Sequence, residues 1–435
     1  MACTNDHGEY DVLRQFFAYR NLLFILMLLA SSGLFLTDDK KAGLPYLREL
    51  YLMGLVCATA LLFVCWKRIY SSKATMWVMF MALMLPLASA VLAKLNWGQP
   101  IIYGLLEERR SFGYLIFFPT LFLLFKTNPS QQQIERFFLY SGLFCATVGF
   151  MYYLKILPEN TGVSFQVDEK IIGGELLRPD RYRIGAPFVS LCAFMLLYQM
   201  RDKVSLKKML LMLYFTAYLW LVMQTRQTML IWAIAAIWIF RTRIDSLLKV
   251  GALAGVMLVL SYLVMPDFYA DQYAKFNALF AEATGAPGVR DITISISLRA
   301  VAENMYIGLG ALSLQWNGGF SKVYNPHFYL SDVGIVGVYY RYGFLTPFIA
   351  LIFYWGYLRI MKRCKNKGSL LMAFQLSFWF QLLNMVLSNS LMFGGDVLGL
   401  SAAFFLYYSR VSAQERSTSR NRDWVNYGTV QYRHN

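Results

Sequence analysis

Charge is scarce in this chain of 435 residues: 15% are charged, while 57% are hydrophobic and 17% aromatic. About 25% charged residues is usual for a water-soluble domain. A soluble globule of this size would therefore lack polar residues to cover its surface. The same apolar excess excludes a disordered chain. Cysteine is sparse and irregular. Cys3 lies near the N-terminus, Cys364 in a basic stretch, and Cys57, Cys65, Cys145 and Cys192 in apolar runs, which excludes a disulfide scaffold. Histidine is rarer still, with His7 and His434 near the termini and only His327 in the body of the chain. No CxxC pair, HExxH or Walker-type Gly-Lys-Ser/Thr is present, and a His-rich metal site is excluded. An enzyme built from this sequence is expected to use no metal and no cofactor. There is no internal repeat and no low-complexity stretch.

Long apolar runs are what the sequence does have. A membrane span needs about 20 apolar residues. Twelve runs fit, over roughly 17–36, 49–66, 75–94, 112–126, 137–155, 185–200, 209–224, 227–240, 250–265, 343–361, 369–390 and 394–409. The expected fold class is an all-α polytopic membrane protein with about 12 transmembrane helices. The first run lacks a small-residue cleavage site before Thr37-Asp38-Asp39-Lys40-Lys41 and is read as a span rather than a signal peptide.

The formal net charge of +16 raises the question of nucleic acid. Its distribution answers it. With both termini placed in the cytoplasm, the cytoplasmic connections hold 24 basic and 8 acidic residues. That leaves 17 of each sign on the outer side, a net of zero. The excess is the positive-inside signal, and no nucleic-acid partner is expected. The organisation is then 1–265, holding nine spans and a smaller periplasmic loop at 156–184; a large periplasmic loop at 266–342; three spans over 343–410; and a basic cytoplasmic tail at 411–435. Loops this long are usually functional. Within the larger one, Phe268, Tyr269, Tyr273, Phe276, Leu279 and Phe280 recur at helical spacing. They suit a helix lying on the membrane face or one capping the bundle.

Several residues can carry chemistry. His327 lies in Tyr324-Asn-Pro-His-Phe-Tyr-Leu-Ser-Asp332. Imidazole is the usual general base for a hydroxyl. A structural histidine at a loop boundary explains it equally well. Asp332 would orient the imidazole or stand as an ordinary exposed carboxylate. Arg226 sits between two short runs, 209–224 and 227–240, so its turn should lie below the outer surface. Arginine at that depth is costly and marks a functional candidate, although snorkelling or pairing with Asp396 is an alternative. Its planar fork suits phosphate oxygens. The larger loop adds Arg290 and Arg299, followed by the helix-ending Ile307-Gly-Leu-Gly310. The smaller adds Arg178, Arg181 and Arg183. Arginines converging from three segments would suit a diphosphate; singly, each reads as a loop salt bridge. Asn384, Ser388, Asn389 and Asp396 would line a lateral cleft or make helix–helix hydrogen bonds. No DxD pair stands on the outer side to hold a cation beside a nucleotide sugar.

Taken together, Ser-Leu-Arg299 opening a helix, Ile307-Gly-Leu-Gly310, His327-Phe-Tyr-Leu, Gly334-Ile-Val-Gly337 and Tyr342-Gly343-Phe-Leu resemble the O-antigen polymerase and O-antigen ligase superfamily. The likeness covers about 290–345, Arg226 and Arg178–Gly185 as motif, and most of the chain as architecture. In two places the chain departs from the family pattern. Phe328 replaces the usual polar residue after the histidine, and Leu330 comes one residue early. The resemblance implies a GT-C-like fold in the bacterial inner membrane with both termini cytoplasmic. It implies metal-independent, inverting glycosyl transfer on the periplasmic face from undecaprenyl diphosphate. Arg226 and Arg299 would hold the leaving diphosphate, assisted by Arg290, Arg183 or Arg181, and His327 would activate the acceptor, with Tyr324 and Asp332 in the glycan site. The acceptor would be a second lipid-linked glycan in a polymerase, or lipid A core in a ligase. Polysaccharide-assembly proteins are expected partners, and membrane lipids surround it. The polymerase is preferred for its second arginine-bearing loop. A lipid-linked glycan flippase or transporter is the main alternative. It would place ionisable residues at mid-depth and show repeats; the sequence shows no repeat, and its apolar runs are almost free of charge at mid-depth.

Overall fold

The computed structural model describes residues 47–66, 73–158, 182, 184–224, 226–241, 243–270, 273–274, 289–326, 328–365, 367–384 and 395–411. Among them the chain is all-α, with one isolated antiparallel bridge between Ile307 and Gly343. Helix α1 is Leu47–Cys65. Helix α2, Lys73–Trp97, widens into a π turn over Phe80–Met84. The turn falls just ahead of Pro86, whose missing N–H and bulky ring disfavour an ordinary helical turn. Helix α3 (Ile101–Glu107) leads through a 3-10 stretch, Arg109–Ile116, into α4 (Phe117–Thr127). A capping box between Ser130 and Gln133 starts α5 (Gln131–Tyr153).

Helix α6 is Ala186–Asp202. Helix α7 (Leu206–Ala217) is capped by Ser205 and runs into a second π turn, Tyr218–Val222. Then follow α8 (Arg226–Phe240), α9 (Ile244–Val264), α10 (Val289–Glu303), α11 (Gly319–Val323), α12 (Ile335–Tyr342), α13 (Thr346–Arg363), α14 (Ser369–Asn384) and α15 (395–411).

Helix α6 is the hub, packed against α5, α7, α8 and α14. Close approach follows from its small residues: the Cys192 thiol donates to the Phe138 carbonyl at 3.1 Å. The main core runs through all these helices. A second, smaller core gathers Val301, Leu309, Phe328, Leu330, Val333 and Tyr340. Outward faces stay apolar, as at Leu61 and Val64 of α1, Leu263 and Val264 of α9, and Phe348 and Leu351 of α13, all exposed.

Two helices, Lys73–Trp97 and Gln131–Tyr153, are long and apolar enough to cross a membrane by length and composition. Other expected spans are built from pieces. The run 112–126 is part 3-10 and part α, and the run 209–224 ends in the π turn. The run 227–240 matches α8 within a residue. The first run, 17–36, and the cleft residues Ser388 and Asn389 lie outside the described residues.

The connections sort to two ends. At one, Gln131 Oε1 accepts from Gly368 N at 2.6 Å and Glu135 Oε1 from Leu370 N at 3.2 Å. There too Arg243 Nη1 donates to the Arg201 carbonyl at 3.1 Å and Tyr408 to the Pro129 carbonyl at 3.0 Å. We term this the basic end, after Arg201, Lys203, Lys207, Lys208, Arg241, Arg243, Lys365 and Lys367, which lie in or beside the connections that meet there. The far end is the opposite end of α13, whose last turn leads into the basic end; residues 89–108, 304–313 and 337–343 meet there.

Candidate functional site

An irregular strap, residues 308–313, crosses the far end between α2 and α12. Most of its backbone groups have hydrogen-bond partners, as buried backbone requires. Asn96 Nδ2 donates to the Gly308 carbonyl at 3.2 Å and Trp97 Nε1 to the Leu309 carbonyl at 3.1 Å. Gln99 bonds Ala311 O at 3.1 Å and Ser313 N at 2.8 Å. On the other side Leu309 N reaches Tyr340 O at 2.9 Å and Gly310 N reaches Arg341 O at 3.2 Å. Two glycines make this approach possible. A Cβ on Gly308 would collide with the Arg341 carbonyl, and one on Gly310 with that of Ser89. Gly310 also has φ +72°, where a side chain is disfavoured.

Under the strap lies a buried ion pair. Arg341 Nε donates to Glu108 Oε1 at 2.7 Å, with the side chains only 5% and 2% exposed. Ser89 Oγ donates to the same oxygen at 2.9 Å and accepts from Ala311 N at 3.2 Å, tying the pair to the strap. Arg341 Nη1 caps the Gly337 carbonyl at 3.3 Å. Glu107 stands beside the pair. Burial, and then the charge of Glu108, raise its carboxyl above the ordinary glutamate range, against the pull of Arg341, Arg109 and Arg110.

Beyond α12 an aromatic cluster fills the second core. Tyr324 and Phe328 have ring centroids 4.7 Å apart, and Phe320 lies 5.1 Å from Phe328. The hydroxyls of Tyr324 and Tyr340 share a hydrogen bond of 2.9 Å. Burial raises the Tyr324 phenol above its usual range, partly offset by that bond. Phe328 is buried in this cluster, which accounts physically for an aromatic residue at this position.

The expected site residues fare differently. His327, Arg181 and Arg183 lie outside the described residues. Arg226 is the first residue of α8, and its side chain too lies outside what is described. Between the two loop arginines, Tyr182 is fixed. Its N–H donates to the Val222 carbonyl at 3.0 Å and its ring stacks on Tyr152 at 5.7 Å. Tyr218 donates its hydroxyl to the Ile184 carbonyl. Tyr182 and Ile184 are therefore docked on the π turn, Tyr218–Val222, that precedes Arg226 in the chain.

Arg290 and Arg299 are exposed on α10, which packs on α12 through a buried stripe of Thr293, Ser297 and Val301. Nine residues is about 2.5 turns, so the two arginines leave opposite faces about 13 Å apart along the axis. They are not placed to grip one phosphate side by side. Asp332 is exposed and accepts from Ser331 Oγ at 3.2 Å. Asp396 abuts the 3-10 stretch, where a Cβ on Gly113 would strike its carboxylate.

Glu107, Glu108, Arg341 and Ser89 were not singled out by the sequence reading. A signal existed: Glu107-Glu108-Arg109-Arg110 is a run of four charges in a chain that is 15% charged. Neither protein-family models, curated proteins nor solved structures yield a match to this chain.

Proposed function

We propose that the chain is a polytopic inner-membrane glycosyltransferase with about 12 spans and a GT-C-like build. It would act at the periplasmic face and transfer a glycan from undecaprenyl diphosphate to a second lipid-linked repeat unit, as an O-antigen or surface-polysaccharide polymerase. The observation that supports this reading is the Tyr182–Val222 backbone bond, which ties one residue at the end of the smaller loop to the π turn that comes before Arg226 in the chain. In the proposal the arginines that flank Tyr182 in sequence act together with Arg226. The exposed apolar faces of α1, α9 and α13 support the membrane setting, since a monomer in water rarely leaves so much apolar surface bare.

Inverting transfer breaks the bond from the anomeric carbon to the diphosphate while the acceptor hydroxyl forms a new one on the opposite face. Negative charge develops on the departing diphosphate. Guanidinium groups preorganised there lower the barrier. Arg226 has this role in the proposal, helped by Arg183 or Arg181. Arg299 would meet the same diphosphate from the larger loop, and Arg290, on the opposite helix face, another part of the glycan. His327 takes the acceptor proton. Tyr324 and Asp332 flank the acceptor. No metal or cofactor enters the scheme.

The test is the glycan ladder of cells lacking this protein. Single repeats on lipid A core support the polymerase. Full-length chains left on undecaprenyl diphosphate mean a ligase, and repeats trapped inside mean a flippase.

A further inference from the structure

The basic end carries more cation than its own contacts use. Helices α6 and α7 and the start of α9 meet there, because Arg243 Nη1 bonds the Arg201 carbonyl at 3.1 Å and the Asp202 carbonyl at 3.5 Å. We term this junction of helix ends the notch; along the chain it carries Arg201, Lys203, Lys207, Lys208, Arg241, Arg243 and Lys249, with Asp202 and Asp245. Some are committed. Arg201 Nε pairs with Asp202 at 3.1 Å. Lys208 Nζ bonds the Gln199 carbonyl at 3.0 Å and the Lys203 carbonyl at 3.3 Å. Lys203, Lys207, Arg241 and Lys249 are exposed.

The Arg241 guanidinium lies 3.7 Å from the Trp238 ring centroid, and that indole is 54% exposed. Lys207 stands in the first turn of α7, where the helix dipole favours an anion over a cation. The apolar residues of α9 continue directly from the notch, with Leu248, Val256, Val259 and Leu263 exposed. A charged notch with an adjoining apolar rail matches an amphiphile: an anion at one level, acyl chains below it.

We propose that this notch binds the headgroups of anionic phospholipids, with Lys203, Lys207, Arg241 and Lys249 on the phosphate and the acyl chains along α9. A soluble acidic partner would satisfy the charge and leave α9 bare. The same device recurs around the basic end. Arg359 lies over Trp355 at 5.0 Å and Arg410 over Phe125 at 5.5 Å, pairs suited to the bilayer interface. The inference rests on the membrane reading and not on the transfer chemistry.

The full chain is reconstituted in nanodiscs of phosphatidylcholine containing a minor share of dibrominated phosphatidylglycerol or, in parallel, dibrominated phosphatidylcholine. Bromine quenches nearby tryptophan, and Trp238→Phe isolates the Trp238 signal. The proposal expects stronger quenching by the anionic lipid, corresponding to a local preference of about tenfold, weakening as salt rises. Lys203→Gln, Lys207→Gln, Arg241→Gln and Lys249→Gln together should abolish the preference. Equal quenching by both lipids in the parent chain overturns the proposal, as does an undiminished preference in the variant. A chain that enters the discs without headgroup preference overturns this inference alone. One that will not enter them overturns the membrane reading with it.

Discussion

Arg341 and Glu108 meet as a 2.7 Å ion pair across 233 residues of sequence, sealed beneath the strap of residues 308–313. Burying two charges is expensive, and the pair recovers that cost only while both partners and their extra hydrogen bonds are intact. Removing one side should therefore hurt more than removing both. Arg341→Ala or Glu108→Ala should lower stability by about 3–5 kcal/mol. The double substitution Arg341→Met with Glu108→Gln should cost less than Arg341→Ala. Thermal unfolding of the detergent-solubilised variants checks the order.

Gly310 faces the Ser89 carbonyl with φ +72°. Gly310→Ala meets both a collision and a disfavoured backbone, and should destabilise by about 1–3 kcal/mol or more. The strap should loosen before the helices do. Limited proteolysis at the far end, run beside the melting curve, reads this directly. Ser297→Ala is the opposite case. Its hydroxyl is buried with no partner among the described residues, so deletion should be neutral or stabilising by about 1 kcal/mol.

Glu107 makes stability depend on pH. Its carboxyl is raised in the folded chain, first by burial and then by Glu108. The folded state therefore holds its proton more tightly than the unfolded state. Stability from this group is full below the ordinary glutamate pKa and falls as pH rises through the raised value. Glu107→Gln should be the more stable chain at neutral pH, and the difference should vanish in acid. A melting-temperature series against pH tests the sign.

Much of the architecture is legible in the sequence. The run 227–240 became α8 because an apolar stretch between polar turns leaves a helix few alternatives. Among the described residues, the connections near 128–135, 199–208 and 367–370 gather at one end, because each helix carries its two ends apart. Other features leave no local trace. The Pro86 π turn depends on how one turn relaxes. The strap joins residues far apart in sequence, so Ile307-Gly-Leu-Gly310 reads only as the end of a helix. Arg341 looks like any loop arginine until α12 turns it toward Glu108. The opposite faces of Arg290 and Arg299 follow from their spacing once α10 is known to be continuous.

Phe328 gives a prediction about the second core. Phe328→Ala should cost about 3–5 kcal/mol. Phe328→Asn should destabilise too, since it puts an amide where Phe320, Tyr324 and Tyr340 leave an aromatic slot. Near-ultraviolet circular dichroism, which senses packed aromatic rings, should weaken in both.

The central claim is glycan transfer from a diphosphate lipid with Arg226 at the leaving group. Purified chain is incubated with undecaprenyl-diphosphate-linked repeat units, with and without EDTA, and the products are sized on a gel. A ladder of longer glycans that EDTA does not suppress is expected, with a fall of about a hundredfold or more in Arg226→Ala, the scale of losing one transition-state charge contact. No elongation by the parent chain, or an undiminished ladder in Arg226→Ala, would contradict it.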